Sequence, residues 1–148
     1  MKFIKPALFI LTAFLLSQVP AFAGGWTDNY KLALDKASKE NKKVLLDFTG
    51  SDWCSACKQL KKAIFDKPEF QKFADKNLVL VEVDFPVGKT LSHQVKMQND
   101  ALADHYDAGN ALPTLILLDP QGKVIKKQEG YDPAVSPKDF INWINSAS

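Results

Sequence analysis

The chain has no arginine; all 19 of its basic residues are lysine. Arginine carries the planar fork that binds phosphate and carboxylate bidentately, and without it nucleic-acid recognition has little to work with. Charge balance argues the same way. The formal +2 comes from Lys2 and Lys5, since beyond residue 23 there remain 17 lysines against 17 acids, so the basic footprint that nucleic acid requires is missing. Histidine and cysteine are equally scarce, with two of each. A zinc site needs about four ligands, and His93 and His105 lie far in sequence from the cysteines, outside the usual spacing of metal ligands. Surface or helix-end positions are expected for both histidines. No metal and no bound cofactor are expected.

Residues 1–23 read as an export leader. Lys2 and Lys5 form a positive start, residues 7–16 are apolar except for Thr12, and Ala21-Phe22-Ala23 is a small-x-small cleavage pattern ahead of Gly24. The alternative is an uncleaved anchor, but its apolar core is shorter than the ~20 residues that span a bilayer, and Pro20 follows it. Cleavage near Ala23 and a periplasmic destination are the expectations. Residues 24–148, about 125 in all, are enough for one domain with its own core.

What is present is Trp53-Cys54-Ser55-Ala56-Cys57, which holds both cysteines and follows the apolar run Val44-Leu45-Leu46-Asp47-Phe48. A bridge across two intervening residues closes almost no loop and gives little stability. It suits opening and closing. A cysteine near a helix N-terminus has its thiolate favoured by free N–H groups and the helix dipole. A second cysteine one turn on can attack the resulting mixed disulfide and release the substrate. The competing reading is half of a zinc knuckle, for which the remaining ligands are lacking.

Periodicity supplies the rest. Residues 28–41 read as an amphipathic helix stopped at Asn41-Lys42, and 43–49 as a strand buried on both faces. Leu60, Ala63, Ile64 and Phe65 recur at helical spacing after the cysteines, with Lys58, Lys61 and Lys62 as a solvated face. Pro68 should kink or restart that helix. Residues 78–84 form a second buried strand, 85–90 a loop, and 91–106 a mostly polar helix with Val95, Leu102 and Tyr106 inward. Two strands, 114–119 and 123–129, flank the turn Pro120-Gln121-Gly122, and Ser136-Pro137 opens the last helix. The order implies an α/β domain: a mixed four-stranded sheet with helices on both faces.

Val44-Leu45-Leu46-Asp47-Phe48, the Cys-Ser-Ala-Cys segment, Ala111-Leu112-Pro113-Thr114, the Gly122 hairpin and Gly130 before a terminal helix resemble the thioredoxin superfamily in its usual order. Within it, the long passage through residues 83–103 is similar to exported bacterial members, including the C-terminal domain of the periplasmic membrane disulfide reductase. The resemblance implies the thioredoxin fold and thiol-disulfide exchange, with Cys54 attacking and Cys57 resolving. It makes Pro113 a cis-proline, where an ordinary trans turn proline is the alternative. It puts Leu112 and Pro113 in the substrate site, with the exposed backbone just before the cis-proline pairing with an extended substrate segment, and implies that Trp53 is a flanking aromatic surface; the alternative for Trp53 is a core residue.

Asp47 sits inside an apolar run, so burial should raise its pKa. By resemblance it lies beneath Cys57 and passes protons to and from that thiol; the alternative is a strand-end acid partly open to water. The loop 49–52 is one residue longer than in cytosolic thioredoxin, and the lysine paired with the acid there is expected to be replaced by an apolar residue near Leu80. Ser55-Ala56 carries no cation, which points to a reducing pair. The implied partners are disulfides of proteins or small thiols and a membrane or soluble redox partner that recycles the cysteines, with the chain a monomer. An oxidant or isomerase is the rival enzyme, and a chaperone or metal-binding module the rival class.

Overall fold

The structure, a computed structural model, describes residues 25–146. The leader expected over residues 1–23 lies outside them. Ten elements follow in the order α1 (Tyr30–Glu40), β1 (Lys43–Thr49), α2 (Ser55–Leu60) running on through a π turn (Lys61–Phe65), α3 (Pro68–Asn77), β2 (Leu78–Asp84), α4 (His93–Tyr106), β3 (Thr114–Leu118), β4 (Val124–Glu129) and α5 (Pro137–Asn145). The sheet order is β2-β1-β3-β4. β1 and β2 are parallel, joined through α2 and α3, and the other two pairings are antiparallel.

Alternation along the strands sends residues to two cores. Val44, Leu46, Phe48, Val79, Val81, Val83, Ile116 and Leu118 face Ala33 and Ala37 of α1 and Leu102 and Tyr106 of α4. Leu45, Leu78, Leu80, Leu115 and Leu117 face Leu60, Ile64, Phe65, Phe70, Ala74, Phe140 and Ile144 from the helices of the opposite side. β1 and β3 are buried on both faces, whereas β4 alternates between half-buried and exposed, as an edge strand does.

Helix ends follow local chemistry. Asn41 closes α1 in the left-handed conformation, with φ 51°, which asparagine tolerates well. Lys67, ahead of Pro68, is extended and restarts the helix as α3. Ser136 and Asp139 form a reciprocal capping box at α5. In α4, Leu102 and Tyr106 are buried as expected; Val95 is only half-buried, and the buried position one turn on is Asn99. Its amide donates to the Asp84 carbonyl oxygen at 2.9 Å, and that bond makes a buried polar side chain tolerable. Thr27, ahead of α1, bridges to Val81 on the outer side of β2, with bonds from Thr27 N–H to Leu80 and from Glu82 N–H to Thr27.

Phe70 joins the second core at ring-centroid distances of 5.2 Å from Phe65 and 5.8 Å from Phe140. Truncation there leaves a cavity between three elements. Phe70→Ala is expected to cost about 3–5 kcal/mol, read as a lower denaturation midpoint in urea with little change in slope.

Candidate active site

The C-terminal ends of β1 and β2 and the N-terminal end of β3 meet at one end of the sheet, through the pairs Thr49↔Asp84 and Phe48↔Thr114. The loop after β1 delivers the cysteines there. Its turn is closed by the Cys54 N–H donating to the Gly50 carbonyl oxygen at 2.8 Å. Gly50 is buried beneath the Trp53 indole, and a Cβ on it would lie 2.5 Å from that ring; the absent side chain is what lets the ring lie there.

Cys54 is the N-cap of α2, and its sulfur accepts from the Cys57 N–H at 3.2 Å. The two cysteines form a disulfide. Both are buried, with Cys54 7% and Cys57 5% exposed. Ser55 between them is exposed. Trp53 is half exposed, and its Nε1–H donates to the Phe85 carbonyl oxygen at 2.8 Å, so it is a surface ring tied at its polar edge. The Leu112–Pro113 peptide bond is cis. Pro113 is buried, its carbonyl oxygen accepting from Gly130 N–H at 2.7 Å, and Leu112 packs against the core on the α1 side.

A polar clamp around the cysteine loop was not anticipated from the sequence. Asp84, buried, accepts from Ser51 N–H at 2.9 Å and Ser51 Oγ–H at 2.6 Å and pairs with Lys89 at 2.8 Å. The Asp52 carboxylate accepts from Val87 N–H at 3.1 Å and Gly88 N–H at 2.5 Å, which hold its pKa below the usual carboxylate value. Lys58 Nζ donates to the Asp52 carbonyl oxygen at 2.8 Å. The loop after β2 is thus fastened to the loop before Cys54. The sequence signal was faint: an Asp-Trp-Cys run and a Gly88 with space for a carboxylate, at 3.0 Å from a would-be Cβ.

Asp47 is buried on the sheet face that carries α2, and its Oδ1 has no hydrogen-bond partner among the described residues. Burial first, then the negative charges of Glu82 and Asp84, push its pKa up to about 8. Leu80 does not lie opposite it. Leu80 pairs with Leu45, and the register partner of Asp47 on β2 is Glu82; the expectation of an apolar neighbour was out by one inward-facing position. His93 and His105 occupy the two ends of α4 and are exposed. Among the described residues no three of His, Cys, Asp and Glu gather as metal ligands.

The model of the thioredoxin-like domain family matches residues 30–148. The chain belongs to this family. It is 33% identical over 120 residues to the disulfide bond reductase DsbH of Chlamydia pneumoniae, covering 81% of this chain and 70% of that protein. It is also 33% identical over 109 residues to the thiol:disulfide interchange protein DsbD of Actinobacillus pleuropneumoniae, but there the match covers 73% of this chain and only 17% of the longer relative. A solved DsbH oxidoreductase superposes with a TM-score of 0.75 at 30% identity, covering 89% of this chain and 91% of that one. The fold is the thioredoxin fold, and the chain is a thiol-disulfide oxidoreductase with Cys54 and Cys57 as its cysteine pair.

The raised Asp47 pKa has a consequence for stability. Between pH 3.8, where the carboxyl ionises in the unfolded chain, and about 8, where it ionises in the folded one, the native state holds a proton that the unfolded state has lost. This contribution is therefore full below pH 3.8 and declines as pH rises, by up to about 1.4 kcal/mol per pH unit. Asp47→Asn should remove that slope, so that urea unfolding of the variant loses less stability than the wild type between pH 5 and pH 8.

Proposed function

We propose that the protein is an exported disulfide reductase that acts through a mixed disulfide on Cys54. The observation that carries this is the position of Cys54 at the helix N-cap, where its sulfur already accepts the Cys57 N–H. That N–H would stabilise a Cys54 thiolate in the reduced pair. The thiolate attacks one sulfur of a substrate disulfide; a new S–S bond forms, and the other substrate sulfur leaves and takes up a proton. Cys57 then gives its proton to Asp47 in its carboxylate form and attacks Cys54 Sγ, breaking the mixed disulfide and releasing the second substrate thiol. Two electrons pass to the substrate, and the pair ends as a disulfide. A dithiol partner, membrane-bound or soluble, must reduce it again.

Several features support the reading. Trp53 offers a half-exposed aromatic surface beside Cys54. The backbone just before Pro113, at Leu112, lies at the same sheet end, where an extended substrate segment can pair with it. Asp47 is sealed on the α2 side of the sheet and needs a proton to be comfortable there. The reducing direction is supported by the Ser55-Ala56 dipeptide, which brings no cation to the thiolate, and by the name of the DsbH relative. Export rests on the leader pattern of residues 1–23; among the described residues no helix is long and apolar enough to cross a membrane.

Cys54→Ser should abolish insulin reduction, while Cys57→Ser should accumulate mixed disulfides, visible on non-reducing gels. Undiminished reduction by Cys54→Ser would sink the catalytic reading. The equilibrium potential against a dithiothreitol series should fall near the value of about −270 mV typical of thioredoxin; a value near about −120 mV would make the protein a disulfide donor instead.

A further inference from the structure

A carboxylate sealed in a core can serve a thiol repeatedly only if its proton has a way out. Asp47 lies on β1 between two other strands, is 8% exposed, and keeps an unpartnered oxygen. Its neighbour toward the sheet edge is Glu82, the register partner on parallel β2. Register partners on parallel strands project to the same face, with strands about 4.8 Å apart, so both carboxylates lie on the α2 side. Glu82 is half-buried, and its carboxylate makes no hydrogen bond or ion pair among the described residues. An apolar side chain would suit this position in Leu78–Asp84 better if packing were its only task.

We propose that Glu82 is a positioning residue for the active-site proton, forming with Asp47 an acid pair that carries the Cys57 proton from the sealed centre of the sheet to solvent. The inference rests on the proton-accepting role given to Asp47 above. The step is a simple relay. Protonated Asp47 first passes its proton, directly or through one water, to the Glu82 carboxylate, which releases it to bulk water, and the Asp47 carboxylate so formed takes the proton of Cys57 as its thiolate forms; no oxidant or reductant enters.

The surroundings give the pair an order of ionisation. Burial and then the Asp84 charge raise the pKa of Glu82, Asp28 adds to this from the segment before α1, and Lys89 and Lys61 pull it back from the loop after β2 and from the π turn. Asp47 has no such cation and feels the negative charges of Glu82 and Asp84. Glu82 therefore ionises first, and its charge then holds the proton on Asp47.

The test combines carboxyl NMR titration of the oxidised protein with the pH-rate profile of insulin reduction, for the wild type, Glu82→Gln, Asp47→Asn and the double variant. In Glu82→Gln the Asp47 midpoint should move down and its curve become a single step. The turnover rate should fall about tenfold with KM unchanged, and the double variant should be no slower than Asp47→Asn. An unmoved Asp47 midpoint, or a double variant slowed by the product of the two single effects, would overturn the pair while leaving the role of Asp47 intact. Wild-type turnover by Asp47→Asn would remove the role of Asp47 and the relay with it.

Discussion

Everything at the active end of the molecule depends on β1 being buried on both faces. Hydrogen-bonded to β2 on one side and β3 on the other, it is covered by helices above and below, and its residues from Val44 to Phe48 are nearly or wholly inaccessible. Such a strand has one rigid position. The loop leaving its end is therefore launched from a fixed point, and the Gly50 turn and the Cys54 cap inherit that rigidity. The same burial makes Asp47 anomalous: any acid on this strand faces a low-dielectric core whichever way it points.

The clamp beyond the strand end extends this order into loops. Asp84 and Asp52 each accept from main-chain N–H groups of the opposite loop, and charge-assisted bonds of this kind are stronger than neutral ones. Trp53 is fixed at one edge by Phe85 and from beneath by the space above Gly50. Reactive sulfur, flanking ring and neighbouring loop are thus tied together as one unit.

Much of this was legible in the sequence because it follows from local rules. Val44-Leu45-Leu46 and Leu78-Val79-Leu80 are long apolar runs that only a doubly covered strand accommodates; Ser136-Pro137 and Asn41 mark helix ends by the chemistry of their own side chains; two cysteines with two residues between them have few uses. What could not be read depended on pairing across the chain. Opposing Leu80 rather than Glu82 to Asp47 is a register question, and the register of β1 against β2 is set by the α2 and α3 crossover, not by either strand alone. The clamp is hidden for the same reason: Asp52 and Gly88 are 36 positions apart, and neither has a local pattern that announces the other. The buried Asn99 could be explained only once its partner, the Asp84 carbonyl oxygen, was in place.

The short bridge at Thr27 has an effect out of proportion to its size. It occupies hydrogen-bonding groups on the outer side of β2, at Leu80 and Glu82, which is one of the two margins of the sheet. The other margin, β4, carries Lys126 and Lys127, whose ammonium groups are held by the Trp143 and Asp107 carbonyl oxygens. A foreign strand approaching β4 meets lysine, and one approaching β2 finds partners already taken; unpaired margins are where sheets recruit other chains into aggregates. With both margins discouraged, the backbone just before β3 is left as the stretch that the proposed pairing with a substrate segment would use.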